Sequence, residues 1–262
     1  MLLERGQGFY GYTGVFRHGR PAYTGVETYA APHRQWVYDS SIPGASVPSG
    51  VYVGPNFIPR NTSGLQLDFN KGAAYFPSGQ NSTISGVYSY KEVNLYFTKS
   101  NEESFLFNKK FEVNPKNDQY TSVEAADFVY PCIIIKKRGG ENKTLCFEGM
   151  ASTTIPVRLT WLADTSYLYQ SVCSILRDRK ETFFPIFSPQ EMPFNFFGDL
   201  VSGSFDYTAM SSFIGQDANR LAYLKDVRIS DFTEDINNLI TKNAFGGFID
   251  LSVEIIRFPK LE

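Results

Sequence analysis

Ile155-Pro156-Val157-Arg158-Leu159-Thr160-Trp161 puts four large apolar side chains on one side of an extended chain, with proline, arginine and threonine on the other. Alternation with a period of two marks a strand with one buried face, and it predicts a strand over residues 155–163. The period then changes. Asp164 or Thr165 stands where a helix is capped, with Asp164 read as a cap. Leu168, Val172, Ile175 and Leu176 share one helical face, and Arg177, Arg179 and Lys180 gather at the carboxyl end. This predicts a helix over 165–179 that covers one face or end of the sheet.

Outward from this unit the chain reads as strands. Ile84 to Thr98 is expected to be one long strand, with Val93, Leu95 and Phe97 inward and Tyr88, Tyr90 and Tyr96 on the opposite face. Phe128 to Lys137 reads as a buried strand, and Ile249, Leu251, Val253 and Ile255 alternate in a final strand over 248–258. Between residues 21 and 80, short apolar runs at 26–29, 36–38, 51–53, 65–69 and 73–76 are punctuated by Gly, Ser and Pro, as in many short strands joined by turns. Pro43, Pro48, Pro55 and Pro59 exclude long helices there. Residues 99–127 are polar, with turns at 99–104 and 114–119 around a short strand at 105–113, and 230–242 is expected to be a short helix. Lys136 to Gly140 reads as a charged hairpin turn rather than a phosphate contact.

The fold class that follows is mainly β: an antiparallel β-sandwich or barrel-like body with one or two helices and an extended N-terminal arm. Residues 1–20, with Phe9, Tyr10, Tyr12, Phe16 and five glycines, keep neither period and form the arm. Residues 21–262 form a single body, with a possible subdivision near 80. A chain of 262 residues buries enough surface to need no staple. Cys132, Cys146 and Cys173 are odd in number, have apolar neighbours and show no C-x-x-C spacing, so they are expected to be buried, reduced thiols.

Composition narrows function by exclusion. Twenty-five basic and 27 acidic residues give a net charge of -2, which argues against an extended nucleic-acid surface. No apolar stretch approaches the ~20 residues that span a bilayer. Met1-Leu2-Leu3-Glu4-Arg5 is too short and polar for a signal peptide, so synthesis and folding in a cytoplasm are expected and the sequons at Asn61, Asn81 and Asn142 imply no glycosylation. His18 and His33 are the only histidines, no G-x-S-x-G or P-loop is present, and no metal-ligand spacing occurs. No catalytic residue, metal or cofactor is therefore assigned. Asp164, Asp178, Asp199 and Asp206 keep a hydrolase with dispersed carboxylates open as an alternative.

The distinctive signal is aromatic: 23 Phe, 16 Tyr and 2 Trp. Phe183 to Gly198 holds six phenylalanines and three prolines in a segment that cannot be regular, and it must be buried by its own body or by a neighbour. Phe9, Tyr10, Tyr12 and Phe16 of the arm, with Phe194, Phe196 and Phe197 of this loop, are the expected subunit contacts. Tyr10, Tyr12, Trp36 and Tyr38, in loop-rich sequence, leave a carbohydrate-binding module as the second reading.

Three stretches carry a resemblance. Val51-Tyr52-Val53 through Lys71-Gly72-Ala73-Ala74-Tyr75-Phe76, Ser85-Gly86-Val87-Tyr88-Ser89-Tyr90-Lys91-Glu92-Val93, and Leu162-Ala163-Asp164-Thr165-Ser166-Tyr167-Leu168 through Ile175-Leu176-Arg177-Asp178 resemble β-rich structural proteins of tailed bacteriophages, particularly neck or tail proteins of marine phages. The resemblance implies a virion protein, not an enzyme, made in the host cytoplasm. It implies several copies in a ring at the head-to-tail junction or in the tail, joined to connector, tail or neck subunits, and it carries over no site residues. Neck, tail and baseplate are equally compatible with it. Such a subunit needs two different faces for heterologous contacts, which an aromatic arm and a Phe-rich loop would supply.

Overall fold

The computed structural model describes residues 8–19, 23–109, 111–113, 128–144, 151–202, 205–211, 220–233, 236 and 244–257. They are mainly β, in antiparallel sheets. In place of one body after an arm, the chain divides into two compact units: 1–94, 112–129 and 192–208 build the first, and 95–111, 130–191 and 209–262 the second.

The first unit is a small sandwich. Its strands are β1 (Phe9–Val15), β2 (Arg17–Gly19), β3 (Glu27–Ala30), β4 (Gly50–Val53), β5 (Asn56–Pro59), β6 (Gln66–Asp68), β7 (Ala73–Phe76) and β8 (Ile84–Lys91). One sheet has the order β1-β8-β4-β5 and the other β2-β3-β7-β6. Residues 9–19 are thus strands, not a free arm: Phe9 to Val15 pair antiparallel with Lys91 to Ser85, and the chain changes sheet at the buried Phe16. Gly11 and Gly14 had hidden the alternation, because a position without a side chain carries no polarity signal. Residues 1–7 and 20 lie outside the described residues.

Trp36 centres the core of this sandwich. Its ring lies 4.7 Å from Tyr88, 5.7 Å from Phe16 and 6.0 Å from Phe69, and its indole N–H donates to the His33 carbonyl at 3.0 Å. His33 stacks on Tyr90 at 3.8 Å and its Nδ1 meets the Tyr88 hydroxyl at 3.1 Å. Aromatic pairs in offset-stacked, tilted and edge-on geometries add to the area they bury, and this cluster takes up Tyr88 and Tyr90.

Along the chain then follow β9 (Asn94–Phe97), α1 (Glu102–Asn108), β10 (Phe111–Val113), β11 (Phe128–Tyr130), β12 (Cys132–Lys137), β13 (Glu141–Thr144), β14 (Ala151–Ala163), α2 (Ser166–Arg177), β15 (Thr182–Pro185), β16 (Leu221–Asp231) and β17 (Phe245–Arg257); β10 and β11 fall mostly in the first unit, and β9 from Leu95 on with the other elements falls in the second. The sheet runs β15-β16-β17-β14-β12-β9, with β13 also on β14, while β10 and β11 form a separate ribbon. β14 and β17 pair along 13 residues each. Leu159 and Trp161 of the opening alternation are buried on the face that α2 covers, where the Trp161 indole donates to the Tyr169 carbonyl at 3.2 Å.

The helix expected at 165–179 is α2, and its cap is Thr165, not Asp164. Thr165 has the extended backbone of a cap and its hydroxyl accepts from the Leu168 amide at 3.2 Å. Tyr169, Val172, Cys173, Ile175 and Leu176 form its buried face.

Five further expectations change. The buried strand expected over 128–137 is two, β11 and β12, divided at Pro131 and placed in different sheets. The single strand over 84–98 is two, broken at Glu92-Val93, and the chain moves to another sheet there. The phase therefore shifts: Tyr88, Tyr90 and Asn94 are buried and Leu95 and Phe97 are exposed, while Val93 is buried as expected. Of the strand expected at 105–113, residues 105–108 belong to helix α1, favoured by Glu102 and Glu103 in its first turn and by burial of Phe105 and Leu106, and Phe111–Val113 is the short strand β10. Residues 138–140 make no hairpin, because β12 and β13 both pair with β14 and these residues bulge between them, with the Arg138 amide on the Pro156 carbonyl at 2.9 Å. Ser230 and Asp231 end β16, a strand not expected from the sequence, and most of the helix placed at 230–242 lies outside the described residues. The turn at 114–119 and Cys146 also lie outside them; Cys132 and Cys173 are buried and free.

On the face opposite α2, Lys136, Arg158 and Asp250 share one register row. Arg158 grips Asp250 with two hydrogen bonds of 2.6 and 2.7 Å, and Glu102 of α1 accepts from Lys136 at 3.0 Å and Arg138 at 2.6 Å. Burial raises the Glu102 carboxyl, but these cations overcome it and hold the group down at about 2. A carboxyl whose folded value lies below its unfolded one stabilises fully above the unfolded value, and that stability drains as pH falls towards the folded value. Glu102→Gln is expected to cost about 1 kcal/mol at pH 7. In urea unfolding, the gap between variant and wild type should close between about pH 4.5 and pH 2.

Candidate interaction surfaces

The outer face of the first sheet is apolar where water would be expected to meet it. Register places Val15, Ser85, Tyr52 and Phe57 in one row across four strands, with Thr13 and Val87 as the next pair on the same side. Strand alternation turns Ile84, Tyr88 and Val51 into the core and this row outward. Val15, Tyr52, Phe57 and Val87 are each between 40% and 48% exposed. The Tyr52 and Phe57 rings lie 5.2 Å apart, and Phe57 rests over Gly50, where a Cβ would stand 2.7 Å from the ring. Glycine at 50 is what lets that ring lie against the sheet. Neither row carries a charge.

On the other sheet, the loop 192–202 is held on the face that carries Gln66 and Tyr75, opposite the inward Leu67 and Ala74. A bridge joins Phe194 to Leu200, and the Val201 amide donates to the Pro193 carbonyl at 2.8 Å. Between them the Asn195 side chain accepts from the Phe197 and Asp199 amides at 2.8 and 3.1 Å, while the Gly198 amide donates to the Asn195 carbonyl. Gly198 turns at φ +83°, and a Cβ there would stand 2.6 Å from an Asp68 oxygen. Only glycine fits that backbone and that approach.

Asp199 locks the loop from below. Fully buried, it accepts from Arg60 at 2.8 Å, the Leu67 amide at 3.0 Å and the Leu200 amide at 2.7 Å. Arg60 also donates to the carbonyls of Leu200, at 2.9 Å, and Ser202. The result is a fixed turn with Phe196 80%, Val201 70% and Met192 56% exposed, and the Phe196 ring rests on Tyr23 at 5.5 Å.

The expected subunit contacts therefore separate. Phe16 is core and leaves the set, because the sheet change turns it inward onto Trp36 and Tyr88. Tyr12 packs on His33 and Tyr88, Phe194 on Tyr38 and Phe69, and Phe197 on Tyr23 and Tyr75, all within the first unit. Phe9 is half-buried, Tyr10 is exposed with its hydroxyl on Glu92 at 3.1 Å, and Phe196 is the most exposed of the seven. The Phe-rich segment splits as well: Phe183 and Phe184 lie on β15, outside the Phe196 loop, and both are exposed. Val15, Tyr52, Phe57 and Val87 were missed, since an exposed apolar residue in a strand looks like a buried one until register shows its face.

Residues considered for chemistry find structural roles. Trp36 is sealed in the core, and Tyr38 is enclosed by Phe194, Phe205 and Tyr207, with the Lys91 ammonium 4.6 Å from its ring. Burial pushes that ammonium down to about 8. Neither Trp36 nor Tyr38 offers a face to a sugar. Asp199 is bound to Arg60, and Asp178 ends α2. Among the described residues no three His, Cys, Asp or Glu side chains are grouped to hold a metal, and no helix is long and apolar enough to cross a membrane. No known family, curated protein or solved structure matches the chain.

Proposed function

We propose that this chain is a structural protein of a tailed bacteriophage particle, without enzymatic activity. It is made in the host cytoplasm, assembles as a homo-oligomeric ring in the neck or tail, and joins neighbouring virion proteins. The observation that carries its holding role is the uncharged apolar face of Val15, Tyr52, Phe57 and Val87. Contiguous exposed apolar surface backed by a rigid sheet marks an interaction site, and charge is depleted at interface centres. The phage assignment is supported by the resemblance of the three stretches around residues 51–76, 85–93 and 162–178. Imaging of assembled particles with this subunit labelled tests the reading: density in a ring at the neck or tail is expected, and a particle that lacks the protein overturns it.

A second reading is favoured by one feature of the same face. The paired rings of Tyr52 and Phe57 are open to stacking on a sugar, which makes a carbohydrate-binding module of a virion the alternative. Glycan-array binding lost on Tyr52→Ala would promote it, and silence across diverse glycans would remove it.

A further inference from the structure

We propose that the first unit associates head to tail with a second copy of this chain, the Phe196 turn of one copy seating on the Val15–Tyr52–Phe57–Val87 face of the next. This inference rests on the assembly reading above and adds its contact.

Three observations select a second copy as the occupant. The two apolar surfaces lie on opposite sides of one sandwich: the face is the outer side of β1-β8-β4-β5, and the turn is carried on the Gln66 and Tyr75 side of the other sheet. One surface protrudes and the other is broad. A protruding patch and a complementary receiving patch on different sides of one molecule make a heterologous contact, which closes into a ring or runs on as a filament.

The second observation is charge. Val15, Tyr52, Phe57 and Val87 on one side and Met192, Phe196 and Val201 on the other bring no ionised group that contact would strip of water.

The third is area. With about 200 Å² per large ring, the exposed fractions of Tyr52, Phe57 and Phe196 leave roughly 330 Å², and the three valines and Met192 add about as much again. At the ~57% apolar share of specific interfaces, some 650 Å² of apolar surface corresponds to about 1,150 Å² in all, near the lower limit for specific association. The turn is also pre-ordered by the Asn195 and Asp199 hydrogen bonds, so little entropy is lost on docking.

The test uses the full chain and two surface variants, Phe196→Ser and Val87→Glu, each checked for an unchanged thermal melt. Sedimentation velocity over a concentration series is expected to show oligomers of the wild type and a tenfold or greater rise in Kd for either variant. Mixed one to one, the two variants should form a dimer that grows no further, because only the intact turn of Val87→Glu and the intact face of Phe196→Ser remain to meet. A monomeric wild type overturns both this contact and the ring reading. If the wild type assembles and the variants match it, or if both fail and mixing restores nothing, the ring reading stands and this contact falls.

Discussion

Asp199→Ala is expected to lower the stability of the first unit by about 3–5 kcal/mol, the range for removing one member of a buried ion pair. The carboxylate is fully buried and meets Arg60, whose own side chain is 8% exposed. Without it, the guanidinium keeps the Leu200 and Ser202 carbonyls but loses its counter-charge, and the Leu67 and Leu200 amides lose their acceptor. Asp199→Asn separates these causes, since an amide oxygen still accepts while the charge is gone. Combining it with Arg60→Met removes the stranded cation and should recover about half of the loss. Trp36 lies in the first unit and Trp161 in the second, so Trp36 emission in a Trp161→Phe background reads the first unit during urea unfolding. A cost below about 1 kcal/mol would mean that the pair does not hold the loop. Because Asp199 fixes the turn beneath Phe196, Asp199→Ala should also speed proteolytic cleavage within 192–202.

That pair shows why the candidate surfaces were harder to read than the fold. Strand β14 and helix α2 declare themselves locally: alternation at Ile155 to Trp161 and the Leu168, Val172, Ile175 and Leu176 spacing each lie within one element. Phe196 was legible as an aromatic in a loop that cannot be regular. Its exposure is set by Arg60 and Asp199, 139 residues apart, and no local pattern records that partnership. Sheet changes cost the most. At Glu92-Val93 the chain leaves one sheet for another, so an alternation read straight through 84–98 put Phe97 inside and Tyr88 outside. In β16 a register shift between Leu224 and Asp226 breaks the period, and Lys225, Asp226 and Arg228 look like a polar segment until β17 pairs with them. The Val15–Phe57 row joins four strands from three parts of the sequence. Only the register makes it a surface.

Trp36→Ala is expected to cost the first unit about 3–5 kcal/mol, the usual range for a fully buried tryptophan. The indole fills the space among Phe16, Phe69 and Tyr88, and its N–H satisfies the His33 carbonyl. Truncation therefore opens a cavity and removes a hydrogen bond to a buried carbonyl, two penalties that add. Trp36→Phe should cost less, since a ring still occupies the site and the lost hydrogen bond is the larger part of what remains. The near-ultraviolet circular dichroism of the aromatic cluster checks this: collapse is expected with alanine and partial retention with phenylalanine, while Trp161 emission serves as the reference from the second unit. The same variant separates the two roles first open to Trp36. A sugar platform would be solvent-facing, and its loss would abolish binding and leave the melt unchanged. A core residue behaves in the opposite way, so a destabilised Trp36→Ala that leaves glycan binding no weaker per folded molecule removes Trp36 as a sugar platform.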